Sequence, residues 1–333
     1  MTKGQNYLNL SYSSLNFAFQ ANIIFMGTSE FAVPVLESLV DSAYHLAAVY
    51  TQLDKPAGRG KQITSPPVKD IALKYGIPVL QSNTLMSGEA MNELAGFKPD
   101  LIIVTALGQI LPGEVLSLPR FACLNVHPSL LPRHRGPSPV ANALLCGDHV
   151  TGVTIMLMDV GMDSGPILAQ REIDFSLTDT TGILTPRMAH AGAELLLDVL
   201  PRWLASEIEP QAQDERQATY SKLISKGNGE IDWSLSAEEL WRQVRAYDPW
   251  PGSYTWWKGR RLKLYEVSPF GEGGKGQVGE VLPLPGPPFK VGVMTGRGIL
   301  GLAQVQLEGK RKMRGEEFVL GQRDFVGSIL GQR

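Results

Sequence analysis

The chain has 333 residues, enough for two domains with a core in each. Hydrophobic residues make up 43% and mean hydropathy is −0.05, and no apolar run approaches the roughly 20 residues a bilayer-spanning helix needs, so a globular fold without membrane segments is expected. Net charge is −2 but unevenly spread: residues 1–210 carry 13 Lys/Arg against 19 Asp/Glu, and residues 211–333 carry 18 against 14, which points to a polyanionic partner for the back half.

The first twenty residues, MTKGQNYLNLSYSSLNFAFQ, are polar with one lysine and no continuous apolar stretch. They lack the features of a secretory signal and read as a disordered leader or as a start site placed too early. Two cysteines, Cys123 and Cys146, are too few for a disulfide framework, and a reducing, cytoplasmic setting is the expectation.

From residue 22 the front half alternates strand and helix signals. NIIFMG (22–27) is a short apolar run, after which Thr28 and Ser29 offer an N-cap, with Glu30 in the first turn of FAVPVLESLV. LAAVYT (46–51), IPVL (77–80), DLIIVTA (100–106) and FACLNVH (121–127) read as further strands. VKDIALKYG (68–76) and GEAMNELAGF (88–97) read as the intervening helices. Such alternation argues for a mostly parallel α/β sheet covered on both faces. VTGVTIMLM (150–158) and ILAQREI (167–173) extend the sheet, possibly antiparallel, and PRMAHAGAELLLDVLPRWL (186–204) is an amphipathic helix with Pro186 near its start. At about residue 205 the composition turns polar, and 206–220 is expected as a linker. SAEELWRQVRAY (236–247) is a capped helix, and SYTWW, RLKLYEV, QVGEVL, FKVGVM and GILGLAQVQL are short strands suited to a small barrel or sandwich.

Candidate chemistry narrows quickly. MGTSEF has one glycine where a dinucleotide fingerprint has three, and no Walker lysine follows. His45, His127, His134, His149 and His190 form no HxxxH or HxH pair, so no metal site is expected. Asn125 and His127 remain. On a strand they point to the same face, placing an amide donor beside an imidazole. Asp163 lies in the Gly-rich loop MDVGMDSGPIL (158–168). Taken alone, that loop is a Gly/Asp turn satisfying its own backbone. Brought beside Asn125 and His127 it becomes an acyl-transfer site, with the amide on a developing oxyanion, the imidazole handling protons and the carboxylate orienting the imidazole.

NVHPSLLP, followed 38 residues after Asn125 by Asp163 in DVGMDSG, with GVTIMLM between and GQILP (108–112) before, resembles the 10-formyltetrahydrofolate-dependent formyltransferase family. The resemblance implies a Rossmann-like, mostly parallel sheet domain followed by a smaller OB-like β-barrel. It implies Asn125, His127 and Asp163 as catalytic residues, with no metal. It places the folate donor against Gln109, Ile110 and Leu111 and against Ser129, Leu130, Leu131 and Pro132.

The long basic loop TQLDKPAGRGKQITSPPVK (51–69), LLPRHRGPSPV, IDWSLSAEEL and RAYDPWPG resemble the branch of the family that formylates charged initiator methionyl-tRNA. On that resemblance Lys55, Arg59, Lys61, Arg133 and Arg135 are tRNA contacts. Residues 21–205 are then the catalytic domain and 221–333 a tRNA-binding domain of a monomer. The sequence departs from the branch at Lys55, where Arg is more usual, and at His134 and Pro137–Ser138, where Trp and Ala-Ala are. Lysine keeps the charge and loses the bidentate fork. The rival readings are a formyltransferase acting on a nucleotide-linked amino sugar, a formyltetrahydrofolate hydrolase, and a non-catalytic RNA-binding protein.

Overall fold

The computed structural model describes residues 21–57, 62–85, 87–271, 276–286 and 288–332; the leader, Arg59 and Lys61 lie outside them. The chain divides into two compact units. The first comprises residues up to 139, 150–174 and 185–221; the second comprises 140–149, 175–184 and 222–333.

The first unit is built on a seven-stranded sheet. Its strands are β1 (Asn22–Gly27), β2 (His45–Thr51), β5 (Val79–Gln81), β6 (Leu101–Thr105), β7 (Cys123–His127), β8 (Val150–Leu157) and β9 (Ile167–Asp174), in the order β5-β2-β1-β6-β7-β8-β9. The pairs from β5 to β7 are parallel, and β8 and β9 add antiparallel. Between β2 and β5 a hairpin of β3 (Lys55–Ala57) and β4 (Gln62–Thr64) occupies the basic loop. Helices α1 (Val33–Val40), α2 (Pro67–Lys74), α3 (Gly88–Gly96) and the single turn α4 (Gly113–Leu116) connect the parallel strands.

A continuous apolar run makes β6 buried along its whole length, as a strand covered on both faces must be, and β7 is equally buried although Asn125 and His127 interrupt its apolar residues. Ile24, Met26, Tyr50, Ile102, Val104, Leu107 and Cys123 form one side of the core. Burial pushes the Cys123 thiol up to about 12.

The expected cap at Thr28 and Ser29 takes another form. The chain enters α1 through a 3-10 turn, Glu30–Ala32, with no side-chain cap from Ser29, and the Thr28 hydroxyl donates instead to the Leu107 carbonyl (2.9 Å). That bond ties the loop after β1 to the loop after β6. Between those two strands the chain order reverses, the place where open α/β sheets form their ligand crevice.

α5 (Pro139–Cys146) and α6 (Thr181–Leu204) follow; α6 begins five residues before the expected start, with Pro186 inside it. The second unit holds α7 (Ala237–Ala246), started by the capping box of Ser236 and Glu239. It is followed by β10 (Ser253–Trp257), β11 (Arg260–Pro269), β12 (Val281–Gly286), β13 (Phe289–Met294), β14 (Ile299–Leu307), β15 (Met313–Arg314) and α8 (Gly315–Gly321). These strands form one antiparallel sheet in the order β10-β11-β14-β13-β12, with β15 on β14. The QVGEVL run enters its strand only at Val281, because Gln277 to Glu280 form a turn. Trp257 packs edge-on against Phe318 and Phe325 in this unit's core (centroids 5.7 and 5.2 Å). Among the described residues no helix is long and apolar enough to cross a membrane.

Candidate active site

β7 delivers Asn125 and His127 to the carboxyl edge of the parallel sheet, where their backbones pair with Met156 and Thr154 of β8. Both are buried, at 8% and 4% exposure. The β8–β9 turn brings in Asp163. Its Oδ1 accepts from Asn125 Nδ2 (3.4 Å) and lies 3.7 Å from His127 Nδ1, so one carboxylate oxygen faces both partners. Its Oδ2 accepts from the Gly136 backbone N–H at 2.7 Å. Gly136 has φ +102, and a Cβ there would stand 2.9 Å from the Ser221 carbonyl oxygen, so only glycine brings this N–H to the carboxylate. Asp163 itself has φ +53, a left-handed conformation that Asp tolerates better than most residues.

His127 Nε2 lies 3.2 Å from the His134 carbonyl oxygen. A carbonyl can only accept, so Nε2 carries the hydrogen, and in the neutral ring Nδ1 holds the lone pair on the Asp163 side. The expected trio is brought together around one oxygen atom.

The expected folate residues divide by burial. Ile110 is 83% exposed, and Gln109, Leu130 and Pro132 are half-buried, whereas Leu111, Ser129 and Leu131 are buried. Gln109 is held by Tyr50 Oη, which donates to its Oε1 (3.0 Å), and by its own Nε2 bond to the Ser82 carbonyl (3.2 Å). Leu111 packs into the core with Leu107 and Val115, so its side chain is turned away from the crevice. The Ser129–Pro132 loop is pinned to β8 and β9. Thr154 Oγ1 donates to the Ser129 carbonyl (2.6 Å) and accepts from Leu131 N (3.2 Å), while Gln170 Nε2 donates to the Leu131 carbonyl (2.8 Å). Thr154 and Gln170 were not singled out from the sequence. A lone polar residue inside the apolar run GVTIMLM was the available signal for Thr154.

The expected RNA contacts also divide. Lys55 is exposed and donates to Gln52 Oε1 (2.5 Å), and Arg133 is exposed. Arg135 is different. It is 1% exposed and ion-paired with Glu215 (2.8 Å), with further bonds to Gln213 and the Tyr220 hydroxyl. The Arg135 guanidinium holds the Glu215 carboxyl below the usual range. A side chain so enclosed does not reach a phosphate, so Arg135 is a structural residue here.

In the second unit, the outer face of β10 and β11 carries Tyr254, Trp256, Arg261 and Lys263. The Arg261 guanidinium lies 4.8 Å from the Tyr254 ring centroid and 5.3 Å from that of Trp256. Lys312 sits 4.3 Å over Tyr265. Trp250 is half-exposed, while Trp257 is committed to the core.

A family profile for formyl transferase matches residues 21–200, and one for the formyl transferase C-terminal domain matches 223–323. The methionyl-tRNA formyltransferase of Chloroflexus aurantiacus is 45% identical over 299 residues, covering 90% of this chain and 96% of the relative. The chain belongs to the methionyl-tRNA formyltransferase family. The family's Bacillus subtilis member is 40% identical over 312 residues, covering 93% of this chain and 97% of its own.

Solved structures of more distant proteins share the fold. The N-formyltransferase from Helicobacter canadensis, in complex with folinic acid and dTDP-3-aminofucose, superposes with a TM-score of 0.60 at 18% identity, covering 85% of this chain and 99% of that one. HypX from Aquifex aeolicus, in complex with tetrahydrofolic acid, gives 0.57 at 19% identity over 92% of this chain, which spans 48% of HypX.

Proposed function

We propose that the protein transfers the formyl group of 10-formyltetrahydrofolate to the α-amine of methionyl-initiator tRNA, the formylation that prepares it for starting protein synthesis. What carries this reading is the meeting of Asn125, His127 and Asp163 around one carboxylate oxygen, in a chain 40–45% identical over nine-tenths of its length to methionyl-tRNA formyltransferases.

The donor supplies the formyl carbon and leaves as tetrahydrofolate. Asn125 donates from Nδ2 to the formyl oxygen, as negative charge gathers there while the amine forms its C–N bond. His127, with Nε2 committed to His134, uses Nδ1 to take the proton the attacking amine gives up, and the departing folate nitrogen gains one. Asp163 faces Nδ1 and stabilises the imidazolium. An α-amine with a free carboxylate titrates at about 7.7–8.0, and the ester to tRNA lowers this, so the nucleophile is available near neutrality.

The donor fits the crevice between the loop after β6 and the loop after β7, with exposed Ile110, half-buried Leu130 and Pro132 as its apolar walls and the Gln109 loop beside them. Lys55, Arg133 and the outlying Arg59 and Lys61 meet RNA phosphates. The Tyr254–Trp256–Arg261–Lys263 face of the second unit supplies stacking surfaces among cations, the combination that holds nucleic acid without reading sequence.

The test is to supply the purified protein with 10-formyltetrahydrofolate and either Met-charged initiator tRNA, a nucleotide-linked amino sugar, or no acceptor. Formyl transfer to the tRNA alone is expected. Transfer to the sugar, or formate released with no acceptor, would replace this reading by the amino-sugar transferase or the hydrolase.

A further inference from the structure

The segment expected as a linker, 206–220, runs back over the loops that carry the site and is bonded to both. Gln211 exchanges backbone hydrogen bonds with Ile167, at 2.8 and 2.9 Å, just beyond the Asp163 turn. Further on, Arg135 N donates to the Thr219 carbonyl (2.9 Å) and Ser221 N to the Arg135 carbonyl (2.7 Å). His134 N donates to Thr219 Oγ1 (2.9 Å), which fixes the residue whose carbonyl holds His127.

Gln213 stands between these anchors and uses both ends of its amide. Nε2 donates to the Asp163 carbonyl (2.8 Å) and to the Gly165 carbonyl (2.7 Å). Oε1 accepts from Arg135 Nε (3.1 Å) and Nη2 (2.8 Å). Arg135 is in turn fixed by Glu215 and Tyr220, so the amide cannot swing without breaking the bonds that hold the buried guanidinium. Asp163 holds φ +53, a left-handed conformation that persists in a non-glycine residue where its surroundings enforce it. The Gln213 bond falls on the carbonyl of that very residue.

We propose that Gln213 is a positioning residue for the formyl transfer: by holding the Asp163 and Gly165 carbonyls against Arg135, it keeps the Asp163 carboxylate in register with Asn125 and His127. It touches none of the reacting atoms. The site requires an amide, with one acceptor toward a guanidinium and two donors toward two carbonyls. Glutamate has the same shape but sets a carboxylate against those carbonyls; methionine has a similar volume and offers no donor. The kinetic part of this proposal rests on the function proposed above, and the spectroscopic part does not.

The experiment compares full-length wild type, Gln213→Glu, Gln213→Met and, as a reference, Asp163→Asn. It reads formyl transfer to Met-charged initiator tRNA, thermal melting, and the imidazole signals of His127 in histidine-labelled protein at one fixed pH. Expected are folded variants whose kcat falls about 10- to 100-fold, since small misplacement of a catalytic group has costs of that order. KM for the tRNA should stay within about twofold of wild type, because Gln213 meets neither substrate. The His127 signals should move toward their position in Asp163→Asn.

Wild-type kcat in folded Gln213→Met would overturn the proposal. So would a loss of activity that only follows the loss of folded protein while the His127 signals of the folded fraction stay in place. If wild type formylates no tRNA yet His127 shifts in both Gln213 variants, the functional reading falls and the positioning role stands.

Discussion

Asn125 and His127 are buried on β7, the last parallel strand of the first sheet, with the Asp163 carboxylate and the His134 carbonyl against them. Trp256 and Arg261 lie on the outer face of an antiparallel sheet, where charge and rings face water. The first region depends on placement: hydrogen bonds of 2.7 to 3.4 Å locate one carboxylate, and a change of a few tenths of an ångström alters what it can do. On the proposed function the second depends on number and sign, since cations among stacking rings can hold a phosphate backbone without a fixed geometry. The cost of a substitution should therefore differ in kind between the two, in turnover for one and in RNA affinity for the other.

The sharpest way to break this contrast is at the trio. Asn125→Ala and Asp163→Ala should each lower kcat about 10²- to 10³-fold, the usual cost of removing an oxyanion donor or the group that orients a base, with tRNA affinity unchanged. Initial rates of formyl-methionyl-tRNA formation across both substrates would show it, and a loss confined to KM would refute it.

Arg135→Ala tests whether that arginine belongs to the framework or to the RNA surface. The change should destabilise the first unit by about 2–3 kcal/mol, less than a fully buried pair would lose because Glu215 is 67% exposed, with salt-dependent RNA binding unaltered. Denaturant melts together with a binding isotherm at two salt concentrations decide between the two.

In the second unit, Arg261→Ala should weaken tRNA binding by about 1 kcal/mol and lower the salt slope by about one, since one cation is lost, and Trp256→Ala should cost about 1–3 kcal/mol in stacking. Neither should change kcat at saturating tRNA. A fall in kcat there would mean that the two regions do not divide their tasks as described.

The smallest expected effect concerns acid. Arg135 depresses the folded Glu215 carboxyl below the ordinary glutamate value of about 4.3, so its contribution to stability is complete above that pH and is lost as pH falls through the depressed value. Protection of the Ser221 amide, relative to its intrinsic exchange at each pH, should fall in wild type as pH drops below the ordinary glutamate range. In Glu215→Gln, the step should be absent.

Much of the architecture could be read before any coordinates. The alternation of apolar runs and amphipathic stretches marked each strand of the first sheet, most plainly β6, because a strand buried on both faces needs unbroken hydrophobicity. The Ser236–Glu239 box marked its helix because capping is local chemistry. The start of α6 was misplaced by five residues, since Pro186 resembles a first-turn proline, although Thr180, immediately ahead of the helix, is itself a residue type that starts one. The segment 206–220 was the larger surprise. It is polar and lacks periodicity, so nothing in its sequence distinguishes a strap bonded to distant loops from a solvated connection.

The sequence by itself determined which side chains were candidates for the chemistry. Asn125 and His127 share a strand face by the two-residue period, and the family resemblance pointed to Asp163 as their partner. Only the tertiary structure decided where each charge is spent. Arg133 and Arg135 are two residues apart in one basic loop, yet one is exposed and the other is buried among Gln213, Glu215 and Tyr220, about 80 residues along the chain. Local sequence sets what a residue can bond to; long-range contacts set whether its partner is water, a phosphate or another part of the same chain.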